Sequence, residues 1–336
     1  AGKQIEIMGS KKMLILGVVI SVVVTTLYFI PANIYFLIVV RFLHGIGLGL
    51  ATTATGTIVA QIIPRKRSGE GISYFSLSIV LTTAIGPLIG ILLINHIGYT
   101  SLFVFSLVIG IICLITSLPL KAPVVEGEPD TDHKGFSLSN YFELRAVPIA
   151  FVMFIAALAY SSILSFITSY SSELNLVEAG SFYFLVYAII ISVSRPFTGR
   201  LMDARGANSV AYPTLVIFAI GLLILSQFNS SFLLLLASAV LGLGYGNFQS
   251  TAQALAIKVT PRHRLGLANS TYFIFLDLGL GLGPFVLGYL VPYVGFSGLY
   301  LSLVPLVIVA IFVYYLLCGR KGKELDKVPT LRYAET

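Results

Sequence analysis

Three ionisable side chains stand inside long apolar runs. Arg41 and His44 lie in the run 33–62, and Asp277 is the one acid well inside such a run, in TYFIFLDLGLGLGPF (271–285). A charge held away from water is costly, so each is a functional hypothesis by default. Arg41 either tunes the protonation of a nearby acid or binds substrate; the competing reading is a structural charge that ties helices together through backbone carbonyls. His44 is three residues on and shares a helix face with Arg41. Imidazole titrates near neutral pH, which suits a proton carrier; a hydrogen-bonded neutral imidazole is the other reading. Asp277 could carry a proton or attract a cation, or could pair with a neighbouring polar group. Arg195, directly before Pro196, reads as a cation that snorkels to a helix end.

Polar and small residues recur at helical spacing around these groups. Thr53, Thr57 and Gln61 share one face, as do Gln249 and Gln253, and Ser161 and Ser165. Such faces suit a central aqueous cavity, with helix–helix hydrogen bonding as the alternative. Tyr160, Tyr187, Tyr245 and Tyr272 could wall a site for an amphipathic ligand. Gly86-Pro87, followed by Gly90, and Gly283-Pro284 would bend helices and let neighbours approach closely. Gly45-xxx-Gly49 and Gly242-xxx-Gly246 read as close-packing faces.

The elements that must hold these residues follow from composition. The chain is 57% hydrophobic and 10% charged, with a mean hydropathy of +0.95. A soluble domain carries about a quarter charged residues, so an integral membrane protein is expected. Ten runs are long enough to span a bilayer: 13–30, 33–62, 72–95, 99–118, 147–170, 179–198, 209–228, 231–258, 267–291 and 297–318. The connecting loops alternate. One set carries Lys3, Lys11, Lys12, Arg65, Lys66, Arg67, Lys121, Lys134, Arg200, Arg205, Arg262, Arg264, Arg320, Lys321 and Lys323; the other set has no Lys or Arg. This is the positive-inside pattern, so the basic loops and both ends of the chain are expected in the cytoplasm. The net charge of +7 is therefore a topology signal. A nucleic-acid partner is not expected, because the basic residues are spread over six loops rather than gathered on one face. Cys113 and Cys318 lack metal-ligand spacing. The acidic DTDH (130–133) reads as solvated linker, so no metal and no cofactor are expected.

The chain repeats itself. PRKRSGEG (64–71) aligns with PRHRLGLA (261–268) at an offset of 197. The same offset carries Gly2, Lys3, Glu6 and Gly9 to Gly199, Arg200, Asp203 and Gly206, and Gly86-Pro87 to Gly283-Pro284. Two parallel repeats around a linker are a transporter pattern. Glu6 and Asp203 are then matched loop acids that could bond helix N-termini or arginines of the other half and form a gate. The repeat implies four helices in an incomplete first bundle (1–118), a cytoplasmic linker (119–144), six helices in a second bundle (145–319) and a cytoplasmic tail (320–336). By this arithmetic two helices would precede Ala1. FSLSNYFELR, at the linker's end, is expected as a short amphipathic surface helix.

At this point the chain resembles a major facilitator superfamily transporter, in the twelve-helix drug:proton antiporter, arabinose-efflux-like branch. GKQIEIMGSKK and GRLMDARG resemble the family's G-x-x-x-D-x-x-G loop motif, with Glu6 where the family prefers Asp. RFLHGIGLG (41–49) resembles its fourth-helix arginine motif, with His44 where Gln is common. AIGPLIG (84–90) resembles the fifth-helix Gly-Pro motif that marks antiporters. The resemblance implies an all-α polytopic fold of two pseudo-symmetric bundles and a role for Arg41 in proton coupling. Its implied partners are a small-molecule substrate, protons and the lipid bilayer, acting as a monomer in the cell membrane.

The expected function is proton-coupled export of a small amphipathic molecule by alternating access, and not enzymatic catalysis. Arg41, His44 and Asp277 are the coupling or substrate residues. Gly2, Glu6, Gly9, Gly199, Asp203 and Gly206 form the gate. Gly86, Pro87, Gly90, Gly283 and Pro284 bend helices, and Thr53, Thr57, Gln249, Gln253, Tyr245 and Tyr272 line the cavity. Proton-coupled uptake of a sugar or organic anion is the alternative, and a truncated, non-transporting membrane protein is the alternative of another class.

Overall fold

Each of the ten apolar runs forms a helix. The computed structural model describes residues 1–30, 33–123 and 141–321, with the backbone alone at 84, 87, 88, 91, 95 and 321. The acidic stretch 130–133, the first five residues of FSLSNYFELR and residues 322–336 lie outside the described residues, while 141–145 form turns rather than a helix. In chain order the helices are α1 (Gly2–Met8), α2 (Ser10–Leu27), α3 (Ile34–Ile62), α4 (Ser68–His96), α5 (Tyr99–Ser117), α6 (Val147–Glu173), α7 (Val177–Arg205), α8 (Asn208–Gln227), α9 (Ser231–Leu241), α10 (Asn247–Lys258), α11 (Leu265–Gly288) and α12 (Val291–Leu317). A π-helical turn, Gly242–Gly246, joins α9 to α10. Among the described residues, nine spans are long and apolar enough to cross a membrane, with α9–α10 counted as one. α4, at 29 residues, covers the remaining run. No strand occurs among the described residues. Local signals start and stop the helices: the Asn33 side chain accepts from Phe36 N–H at 3.0 Å to cap α3, and Pro148 falls in the first turn of α6, where no N–H is needed.

The chain divides into two compact units. The first comprises Ala1–Pro64, Leu81–Glu143 and Thr260–Thr271. Its core is Ile5, Met13, Leu14, Val18, Ala54 and Ile58. α2 and α3 meet backbone to backbone: a methyl on Gly17 would sit 2.6 Å from Ala51 N and 2.8 Å from Gly47 O. The expected Gly45-xxx-Gly49 face makes no such approach, and nothing among the described residues lies within 4 Å of a methyl at either glycine. Two residues turn a helix by about 200°, so once Gly47 faces α2, its neighbours at 45 and 49 point the other way. Only 11% of the apolar window of α3 and 6% of that of α5 is buried, which leaves long apolar faces exposed.

The second unit comprises Arg65–Val80, Leu144–Val259 and Tyr272–Thr336. α6 is its centre, with 67% of its apolar window buried. α11 lies against α6 through small residues: a methyl on Gly279 would come 2.6 Å from Phe154 O, and one on Gly283 would collide with Ser161. The Gly283-Pro284 segment thus packs closely, as its sequence suggests. Its counterpart does not among the described residues, where nothing lies within 4 Å of a methyl at Gly86 and Leu102 makes only ordinary contact with one at Gly90, at 3.7 Å. Of Pro87, the backbone is helical.

Candidate functional site

Each unit contains a loop motif from one sequence half and the first turns of a helix from the other. In the second unit, Gly199 brings α7 onto the start of α4. A methyl there would lie 2.8 Å from Glu70 Cα and 2.8 Å from Gly69 O. One turn later the Asp203 carboxylate closes on the same helix end. Its Oδ1 accepts from Gly69 N–H at 2.8 Å, and its Oδ2 accepts from Glu70 N–H at 2.9 Å. These N–H groups have no partner within α4, and a negative charge is favourable at a helix N-terminus. Gly206 then ends α7 at φ 84°, a left-handed conformation costly for other residues. The Glu70 side chain reaches back to two arginines: Arg67 donates to Oε2 from Nη2 at 2.7 Å, and Arg200 donates to Oε1 from Nε at 2.9 Å.

The first unit repeats the backbone approach with the halves exchanged, Gly2 standing 197 residues before Gly199 and Gly266 197 residues after Gly69. A methyl on Gly2 would lie 2.9 Å from Gly266 O and 2.9 Å from Leu267 Cα. Gly9 ends α1 at φ 86°. The side chains differ. Leu267 stands where Glu70 stands in the other copy, and Arg264 pairs with Glu143 instead, Nε to Oε2 at 2.7 Å. Glu143 N–H also donates to Thr271 Oγ1 at 2.9 Å, and Lys3 lies 4.9 Å above the Tyr141 ring. The end of the linker therefore supplies the carboxylate that α4 supplies in the second unit. Glu6 occupies the place of Asp203, but no hydrogen bond to its carboxylate occurs among the described residues. It lines a cavity of about 460 Å³ with Ser10, Lys11, Lys12, Gln61 and His263. Its side chain is exposed. The surrounding protein desolvates the carboxyl and pushes it up to about 7; Arg264 opposes the rise and Glu143 adds to it.

Arg41, His44 and Tyr28 form one group. The Arg41 guanidinium is 5.6 Å from the Tyr28 ring centroid, and Tyr28 Oη is 3.4 Å from His44 Nδ1. Tyr28 in turn stacks on Phe103. His44 is half-buried and Arg41 is exposed. Arg41 thus meets an aromatic ring, a cation–π contact.

Asp277 is exposed on α11, within electrostatic reach of Tyr245 and Tyr272. Both tyrosines are buried, as are Thr53, Thr57 and Gln253, while Gln249 is half-buried. Thr53 Oγ1 donates to Gly49 O at 2.7 Å and Thr57 Oγ1 to Thr53 O at 2.7 Å, so both hydroxyls are spent on their own helix. Tyr272 Oη donates to Gln249 O at 2.9 Å. Tyr160 stacks on Tyr245, ring centroids 3.8 Å apart, and on Tyr187 at 5.7 Å.

Arg195 corrects its reading from sequence. It does not snorkel: its side chain is fully buried, and Nη2 donates to Gly246 O at 2.9 Å, at the end of the π turn. α7 continues to Arg205, about 15 Å further at helical rise, too far for the side chain to reach the helix end. Glu70 and Glu143 were likewise not singled out in the sequence. The substitution of Leu267 for Glu70 between the aligned repeats was the available signal that the two copies need different partners.

A sequence model of the Major Facilitator Superfamily matches residues 1–213 and 177–331. The chain is 26% identical over 319 residues to an uncharacterised MFS-type transporter, MJ1560, of Methanocaldococcus jannaschii, covering 92% of this chain and 82% of that one. It is 26% identical over 289 residues to the multi-drug resistance efflux pump PmrA of Streptococcus pneumoniae, covering 82% and 71%. The fold is similar to the crystal structure of the Escherichia coli fucose:proton symporter FucP, with a TM-score of 0.73 at 16% identity over 94% of this chain and 85% of that one. The helical architecture, the doubled loop motif and the family match agree: the chain belongs to the Major Facilitator Superfamily of multi-pass membrane transporters.

Proposed function

We propose that this transporter exports a small amphipathic molecule in exchange for protons, by alternating access, in the cell membrane with its basic loops in the cytoplasm. The observation that carries the proton coupling is Asp277, an acid on the apolar helix α11 within electrostatic reach of Tyr245 and Tyr272. A carboxyl that takes up a proton in one access state and releases it in the other couples the two fluxes. The Arg41–Tyr28–His44 group is a second element that responds to charge. The doubled clasp, Asp203 on α4 and Gly2 on α11, supports alternating access, because each clasp joins one sequence half to the other and must part for the halves to rock. The relative PmrA, named as an efflux pump, supports the direction of transport.

The test uses the complete protein in proteoliposomes with an imposed pH gradient and amphipathic cations and carboxylic acids as probes. The expected result is movement of at least one probe driven by the gradient and abolished in Asp277→Asn. Gradient-driven movement that survives Asp277→Asn would remove Asp277 from the coupling step. Absence of any coupled movement for a panel of amphipathic cations and acids would overturn the export reading.

A further inference from the structure

Arg195 is the largest fully buried side chain among the described residues. One of its nitrogens, Nη2, bonds Gly246 O. Among the described residues, Nε and Nη1 have no hydrogen-bond partner, and neither do the hydroxyls of Tyr245 and Tyr183. No carboxylate pairs with the guanidinium among the described residues; the groups within its electrostatic reach are the neutral side chains of Tyr187, Tyr272, Tyr245 and Tyr160.

A buried cation with open N–H bonds and no anion is a costly arrangement. Holding Gly246 O explains one N–H, and a lysine could do that much. It does not explain a planar group with donors left over on two nitrogens. Guanidinium donors of this kind match a carboxylate, which accepts on both oxygens. The stacked rings of Tyr160, Tyr187 and Tyr245 lie beside these donors and offer an apolar, aromatic wall.

We propose that Arg195 anchors the carboxylate of the transported molecule, with the Tyr245 hydroxyl as a second donor, so that the substrate class is an amphipathic, ring-bearing carboxylic acid. This rests on the transport reading above. The guanidinium is sealed in this structure, so the carboxylate reaches it only when Tyr245 leaves its stack on Tyr160. Tyr245 lies on the π turn Gly242–Gly246, whose glycines pack tightly on α7 and α8, so the movement is a rotation of the side chain on a held backbone; π turns are frequent at functional sites.

The test is equilibrium binding of tritiated 2-naphthoate to the full-length protein in nanodiscs, with 2-naphthamide as the neutral competitor. Binding is expected to saturate, to be competed by unlabelled 2-naphthoate and not by 2-naphthamide. Arg195→Lys should weaken it by about tenfold or more, the worth of a charge-assisted pair of hydrogen bonds. Tyr245→Phe should weaken it by a few-fold. No saturable binding, equal competition by the amide, or unchanged affinity in Arg195→Lys would overturn the proposal. A purely structural arginine predicts that last result together with a lowered Tm. If Arg195→Lys does not fold, Tyr245→Phe decides, and unchanged affinity there overturns the proposal. Binding is read without flux, so its failure is distinct from a failure of gradient-driven probe movement.

Discussion

The Asp203 carboxylate spans the second and third N–H groups of α4, bonding Gly69 at 2.8 Å and Glu70 at 2.9 Å across more than 130 residues of sequence. The matching acid, Glu6, makes no such bond although its backbone neighbour Gly2 approaches Gly266 as closely as Gly199 approaches Gly69. The two clasps share a backbone design and differ in electrostatics. One is a helix cap ringed by arginines. The other is an ion pair supplied by the linker, beside a carboxyl held near neutrality.

Removing the cap should cost stability in proportion to the lost bonds. Asp203→Ala is expected to destabilise by about 1–2 kcal/mol, the range for loss of a charged N-cap. Asp203→Asn keeps one acceptor and should cost less. Thermal unfolding of the two variants side by side measures the difference, and equal midpoints for Asp203→Ala and the parent would show that the cap contributes nothing.

The clasp glycines should separate by cause. Gly199→Ala places a methyl 2.8 Å from the α4 backbone, which cannot yield, and 2.8 Å from Ser73 Oγ, and should cost about 1–3 kcal/mol as overpacking. Gly9→Ala has open space around it but a φ of 86°, and should cost about 1 kcal/mol from backbone strain alone. Adding a truncation at Ser73 should relieve part of the first loss and none of the second.

Glu143 and Arg264 form a well-buried pair, with side-chain exposures of 5% and 22%. Truncating either partner alone should cost about 3–5 kcal/mol, because the other charge is left buried. A double-mutant cycle of Glu143→Gln and Arg264→Met should give a double variant markedly more stable than the sum of the single losses. Additive losses would show that the pair is not coupled.

Glu6 makes the first clasp sensitive to pH. Its carboxyl is raised from 4.5 to about 7 in the folded arrangement. The folded state therefore binds this proton more tightly than the unfolded state, and stability falls as pH rises between about 4.5 and 7. The effect is fully present below 4.5 and is lost on passing 7. Because the side chain has an exposed edge, solvent screening keeps it small. Glu6→Gln should flatten the pH profile of Tm over that window while leaving the profile above it parallel to the parent. An unchanged slope in the variant would assign the pH dependence to another group.

Much of the architecture was legible before folding was considered. Hydropathy placed all ten long helices, and the 197-residue offset paired Gly2 with Gly199 and Glu6 with Asp203, whose backbone approaches prove equivalent. The offset did not reveal that Glu143 does in one unit what Glu70 does in the other. Nor did it place Arg195, whose depth depends on α7 running on to Arg205 and on a π turn in a different helix.

The sequence by itself determined which segments are helical and which loops are basic, because transfer of a segment into lipid and the charge of a loop are local quantities. Tertiary structure alone decided which glycine of α3 touches α2, which carboxylates meet Arg264 and Arg67, and that no anion among the described residues lies beside Arg195. Those outcomes depend on helix rotation and on backbones meeting at 2.6–2.9 Å, where turning one residue by 100° exchanges a packed face for an open one.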